Sequence, residues 1–297
     1  MAGFAHPEHL VDTAWLAAHL DDPDLVVLDV TTRLVPAPVV GTTPISARPE
    51  FERGHIPGAQ FVDLQADLSD PDHALRFMMP SAARFAAAMA RLGVGDGTRV
   101  VLYSTDILSW SSRVWWLLRV FGHDNAAVLD GGWHKWAAEG RPAETGAGRL
   151  RPAGSFTARA PRPLMADRDE VLAAIGDGAV CTINALRPEQ HTGAGGVHYG
   201  RTGRIPGSVN VAAGQLVDPA TQTLLPADVL RARFAAVGAL DRRVITYCGG
   251  GIAASADALV LTMLGHTDVK LYDASLLEWV ADPALPMEVG YTNRPSF

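Results

Sequence analysis

The sequence predicts an α/β chain made of two copies of one domain, each a mostly parallel sheet with helices on both faces. Three observations carry that expectation. First, four segments recur in the same order along the two halves. Gly54-His-Ile-Pro-Gly-Ala59 returns as Gly203-Arg-Ile-Pro-Gly-Ser208, and Val100-Val-Leu-Tyr-Ser104 as Val244-Ile-Thr-Tyr-Cys248. Phe121-Gly-His123 returns as Leu264-Gly-His266, and Leu129-Asp-Gly-Gly-Trp133 more loosely as Tyr272-Asp-Ala-Ser275. The offsets are 149, 144, 143 and 143 residues, too even for coincidence. Second, short, fully apolar strands alternate with helical stretches, the pattern of a parallel sheet buried on both faces. Third, 297 residues is about the length of two ordinary domains.

Each element has its own warrant. In the first copy Val26 to Val30 is an apolar strand. Ser81 to Leu92 is a helix with Ser81 as N-cap. Val100 to Tyr103 is a strand, Ser111 to Phe121 a helix and Ala127 to Leu129 a strand. In the second copy Val180 to Asn184, Pro226 to Val237, Val244 to Tyr247, Ala253 to Leu264 and Val269 to Tyr272 follow the same plan. Gly146 to Pro163, rich in Gly, Pro, Ala and Arg, reads as a linker, dividing the chain into residues 1–145, 146–163 and 164–297. Trp115 and Trp116 are expected in the core, with Trp110 at a rim. Cys181, mid-strand, is expected buried and inert. Asp130 and Asp273, at strand ends, are expected to cap turns.

Composition excludes several classes of function. With 48% hydrophobic and 19% charged residues the chain can bury two cores. A net charge of −7 without a basic block argues against nucleic acid as a partner. No apolar run approaches the length of a membrane span, and the N-terminus lacks a basic region followed by a hydrophobic segment. Two cysteines form no disulfide framework, which suits a reducing cytoplasm. The histidines show no pair at metal-ligand spacing beside a carboxylate, so neither a metal nor an organic cofactor is expected.

The stretch richest in chemistry is Val244 to Ser255. A strand ends on Cys248, three glycines follow, and a helix begins near Ala253. Gly249, Gly250 and Gly251 can take φ > 0 and turn backbone N–H groups inward as an anion-binding nest. The unpaired N–H groups and dipole of the next helix point at the same place. A cysteine so placed favours its thiolate and is a candidate nucleophile, cradled by the N–H groups of Gly249, Gly250, Gly251, Ile252 and Ala253.

Taken together, these segments resemble the two-domain rhodanese-type sulfurtransferases, from about Leu25 to Pro286. That family is similar in its Gly-His-Ile-Pro-Gly-Ala signature (Gly54 to Ala59), its Asp-Gly-Gly (Asp130 to Gly132), its Arg113-Val-Trp-Trp116 helix, and a cysteine loop in the second domain alone (Cys248 to Ala254). The resemblance implies two tandem rhodanese-like domains, the first carrying Ser104 where the second has its nucleophile. It also implies sulfur transfer from 3-mercaptopyruvate or thiosulfate, through a Cys248 persulfide, to a thiol, cyanide or thioredoxin-like acceptor. Members that favour thiosulfate tend to have basic residues after the cysteine, whereas Cys248-Gly-Gly-Gly251 is uncharged and leans toward mercaptopyruvate. A carboxylate-bearing donor needs a cation, for which Arg187, Arg201 and Arg204 are candidates alongside His198. The serine and threonine of the mercaptopyruvate-type loop are replaced by Gly250 and Ala253. A cysteine phosphatase would need an arginine at position 254, which is Ala254. A persulfide carrier or binding module without turnover is the remaining alternative.

Overall fold

The computed structural model describes residues 3–37, 42–197 and 199–290. The first half holds β1 (Leu10–Val11), β2 (Leu25–Asp29), β3 (Thr32–Pro36), β4 (Thr42–Ser46), β5 (Gln60–Phe61), β6 (Arg99–Tyr103) and β7 (Ala126–Leu129). Five of these form a sheet in the order β1-β7-β6-β2-β5, and β3 pairs with β4 as a separate antiparallel hairpin. The second half holds β8 (Met165–Ala166), β9 (Val180–Asn184), β10 (Val209–Asn210), β11 (Arg243–Tyr247) and β12 (Val269–Tyr272), in the order β10-β9-β11-β12-β8. Reversing the first order superposes the two, with β5, β2, β6, β7 and β1 standing for β10, β9, β11, β12 and β8. Every pairing within both sheets is parallel. β2 and β9 are buried along their whole length, as strands covered on both faces must be.

The repeat extends to side chains. The Ile56 N–H donates to Tyr103 Oη at 3.4 Å, and the Ile205 N–H to Tyr247 Oη at 3.1 Å. Trp136 and Trp279 donate their indole N–H to the Pro142 and Pro286 carbonyls at 2.8 and 2.9 Å. His55 and Arg204 occupy matching places and bridge to Glu144 and Glu288.

The halves meet through two helices, Leu108–Val120 and Ala253–Met263. Both are buried nearly all round, because each lies between its own sheet and the other domain. Small residues at the crossing bring the backbones close, and Ser112 Oγ meets Ser255 Oγ at 2.8 Å. The segment expected as a linker is strapped to the first domain: the Gly154 N–H donates to the Ala90 carbonyl at 2.8 Å and the Arg159 N–H to that of Phe121 at 3.0 Å. Trp110, expected at a rim, is 2% exposed and packs on Phe77, because its helix starts at Leu108 and carries it into the interface. Among the described residues no helix is long and apolar enough to cross a membrane.

Asp257, on the Ala253–Met263 helix, is fully buried, and neither carboxylate oxygen has a hydrogen-bond partner among the described residues. Burial drives its pKa well above the usual carboxylate range. The folded chain therefore holds a proton that the unfolded chain releases above about pH 3.9, so stability falls as pH rises past that value. Asp257→Asn is expected to raise Tm by about 3 °C at pH 8 and hardly at all at pH 4, read in thermal melts. Equal shifts at both pH values would refute the burial argument.

Candidate active site

Cys248 follows the last residue of β11 at the carboxyl edge of its sheet, where open α/β sheets place reactive groups, and is 2% exposed. Of the three glycines after it, Gly251 alone is left-handed, at φ 73°, which corrects the expectation of three positive φ values. Gly249 is required for a different reason: a Cβ there would lie 2.0 Å from Cζ of Tyr199, whose ring rests on the loop. A Cβ on Gly251 would meet the Asp273 carbonyl oxygen at 2.6 Å.

The loop is held by a serine that sequence reasoning missed. Ser275 Oγ accepts the N–H groups of Cys248 (3.0 Å) and Gly251 (3.2 Å) and donates to the Tyr272 carbonyl at 2.7 Å. Ser275 does this at φ 51°, while the matching residue of the first repeat, Gly132, has φ 50°. A side chain in that region is costly, and here its hydroxyl offsets the strain. The Gly251 N–H is thereby spent and does not face the sulfur, a second correction. The N–H groups of Gly249, Gly250, Ile252 and Ala253 have no acceptor among the described residues, and those of Ile252 and Ala253 stand at the start of the Ala253–Met263 helix.

Asp273 does more than cap a turn. Its carboxylate lies 2.6 Å from Nη1 of the fully buried Arg113 of the first domain, a charge contact rather than an aligned hydrogen bond. It also accepts the Met79 N–H at 2.8 Å. Arg113 Nη2 in turn donates to the Phe77 carbonyl at 2.6 Å, and Phe77 is held at φ 63°. The first domain is thus bonded to the group that packs on Gly251.

The candidate arginines separate. Arg204 is fully buried, paired with Glu288 at 2.5 Å and donating to the Gly290 carbonyl, so it cannot meet a substrate. Arg201 directs Nη2 to the carbonyls of Asp282 (3.3 Å) and Leu285 (2.8 Å), clamping the chain beyond the Ser275–Trp279 helix. Both expectations of donor binding are corrected. Arg187 is exposed, with Glu189 at 3.1 Å, and lines an interdomain cavity of about 380 Å³ with Leu108, Ser109, Leu186, Gln190 and Ala253. His198 lies outside the described residues.

Two further charged or polar groups lie within electrostatic reach of Cys248: Arg76, from the first domain, and Tyr199, whose ring rests on Gly249. Burial, and then the charge of Cys248, push the Tyr199 phenol up to about 12, so it keeps its proton. Neither belongs to a recurring segment, which is why pattern reading passed over Arg76.

In the first domain Ser104 donates to the Ile107 carbonyl at 2.6 Å, and Arg33 pairs with Glu50 and Asp106 beside it. No thiol occupies that loop. The histidine reading needs one correction as well. The Pro7–His9 turn brings His6 Nδ1 to 2.9 Å and His9 Nε2 to 4.0 Å from Glu8 Oε1, a spacing that could hold a metal. Arg119 Nη1, however, sits 3.2 Å from the same His9 nitrogen and opposes a cation there.

Comparison with known proteins gives one consistent family. The rhodanese-like domain profile matches residues 12–139 and again 167–282. The 3-mercaptopyruvate sulfurtransferase of Escherichia coli is 34% identical, covering 94% of this chain and 97% of its own. The sulfur carrier protein TtuD of Thermus thermophilus is 32% identical, covering 97% and 99%. The crystal structure of SseA from Escherichia coli, titled as a 3-mercaptopyruvate sulfotransferase with the rhodanese fold, superposes with a TM-score of 0.78 at 33% identity, covering 90% and 98%.

Two substitutions separate loop architecture from anion binding. Ser275→Ala strands two buried N–H groups and is expected to cost about 2 kcal/mol in urea denaturation, with sulfur-transfer activity falling alongside. Arg204→Ala removes the donor to the His191 and Gly290 carbonyls and the partner of Glu288, and is expected to cost about 2 kcal/mol while KM for any donor stays put. A large KM change in Arg204→Ala would return that residue to the site.

Proposed function

Because the chain belongs to the rhodanese-type sulfurtransferases, we propose that Cys248 is its nucleophile and that sulfur passes through a Cys248 persulfide. The observation that carries this reading is a buried thiol at the strand end, beside four N–H groups with no acceptor among the described residues. The thiolate attacks the sulfur of 3-mercaptopyruvate, and the S–S bond forms as the C–S bond breaks. The electron pair leaves on carbon as the enolate of pyruvate, which takes a proton from solvent. An acceptor thiolate or cyanide then attacks the outer sulfur and releases Cys248, giving ping-pong kinetics. The N–H groups of Gly249, Gly250, Ile252 and Ala253 stabilise charge on sulfur throughout.

Mercaptopyruvate is our preferred donor over thiosulfate, since no cationic side chain follows Cys248 in the loop. A thiol, cyanide or a thioredoxin-like protein would collect the sulfur, in a reducing compartment such as the cytoplasm. Residues 164–297 form the catalytic unit in this reading, residues 1–145 its non-catalytic partner and 146–163 the connection. Similarity to a protein named as a sulfur carrier supports a second reading, persulfide carriage without turnover.

Steady-state transfer from both donors separates the two. Multiple turnovers, a higher kcat/KM with mercaptopyruvate, and silence of Cys248→Ser are expected, with one extra sulfur in the intact mass of wild type after donor alone. A single stoichiometric transfer would favour the carrier. Arg187→Ala is expected to raise the donor KM about tenfold with little change in kcat.

A further inference from the structure

Among the described residues, Arg76 is a cation to which its own domain gives no counter-ion. It is half-buried, its Nε is enclosed without an acceptor, and the ionisable groups acting on it, Cys248 and Tyr199, both belong to the second domain. Its guanidinium carbon lies 5.7 Å from the centroid of the Phe77 ring, a contact that supplies no counter-charge, and a half-buried guanidinium without one is costly unless an anion visits it. Tyr199 keeps its proton and does not serve as that anion.

The position of Arg76 is fixed from both sides. Phe77, the next residue, is left-handed and accepts Arg113 at its carbonyl, and Met79 donates to Asp273, whose own carbonyl packs on Gly251. The segment bearing Arg76 is therefore bonded to the network that shapes the cysteine loop. Of the three candidate arginines of the second domain, Arg201 and Arg204 are engaged by carbonyls or a carboxylate, and Arg187 stands exposed at the cavity.

The geometry points to Arg76 as a second group, beside Arg187, that binds the anionic end of the sulfur donor, supplied to the Cys248 loop across the domain boundary. The ligand chemistry is a small donor with a carboxylate or sulfonate beside its transferable sulfur, as in mercaptopyruvate or thiosulfate. A guanidinium offers planar, paired N–H donors to such an anion. This assignment rests on the proposed role of Cys248 and adds to it a donor-binding residue from the domain that lacks the nucleophile.

The test compares alkylation of Cys248 by iodoacetate and by iodoacetamide, the same electrophilic carbon with and without a carboxylate. Cys248→Ser serves as the blank for Cys181. In Arg76→Met the ratio of iodoacetate to iodoacetamide rates is expected to fall about tenfold, and in Arg76→Lys to stay near wild type. In donor assays Arg76→Met should raise KM more than it lowers kcat, for mercaptopyruvate, thiosulfate or both according to which anion the site takes. An unchanged ratio in folded Arg76→Met, or a ratio that falls as far in Arg76→Lys as in Arg76→Met, would overturn the assignment. The ratio is read without any sulfur transfer, so an inactive wild type with an Arg76-dependent ratio would sink the catalytic reading and leave Arg76 as an anion site.

Discussion

The buried contact between Arg113 and Asp273 is the constraint on which the site depends. A guanidinium with no exposure is expensive to desolvate, and removing one partner of such a pair typically costs about 3–5 kcal/mol. That cost is tolerated because the pair does three things at once. It joins the domains, it fixes the Phe77–Met79 backbone, and it places the Asp273 carbonyl where Gly251 must pass without a side chain. The cysteine loop is shaped from outside its own sequence, by Asp273 and Ser275 after β12 and by a segment of the other domain.

The two halves show how duplication separates framework from chemistry. Both keep the strand order, the buried tyrosine that receives a backbone N–H, and the indole bonded to a proline carbonyl. The matched positions that bear on the cysteine loop are Ser104 against Cys248 and Gly132 against Ser275. At the second, the catalytic half gives up the residue best suited to a left-handed backbone to gain a hydroxyl that binds two N–H groups. A strained conformation in that half has a stated use.

Much of the fold was legible because it is written in local pattern. Apolar strands, Ser81 as an N-cap and the four recurring segments lead to two parallel sheets, and Ser81 does accept the Arg84 N–H. The cysteine loop was legible for the same reason, being contiguous. What was not legible is made by contacts distant in sequence. Arg204 looks free but has Glu288, 84 residues on, as its partner, and Arg201 finds carbonyls past position 278. Arg76 and Tyr199 carry no recurring motif, and the repeat containing Ser275 does not show what its hydroxyl binds, so only the tertiary arrangement relates them to Cys248. The His6–Glu8–His9 cluster escaped because a one-turn helix, not a regular spacing, gathers it.

The strap formed by the connecting segment has a consequence of its own. Hydrogen bonds from Gly154 and Arg159, and Phe156 buried against Phe85, fasten it to the first domain, leaving little slack before β8 begins. A second domain on so short a tether meets its partner at a high effective concentration, set by geometry and not by expression level. Insertions after Pro163 would dilute the two halves from each other, whereas insertions before Gly154 would loosen only the strap. The chain thus works as a single-copy assembly, with its stoichiometry fixed at translation.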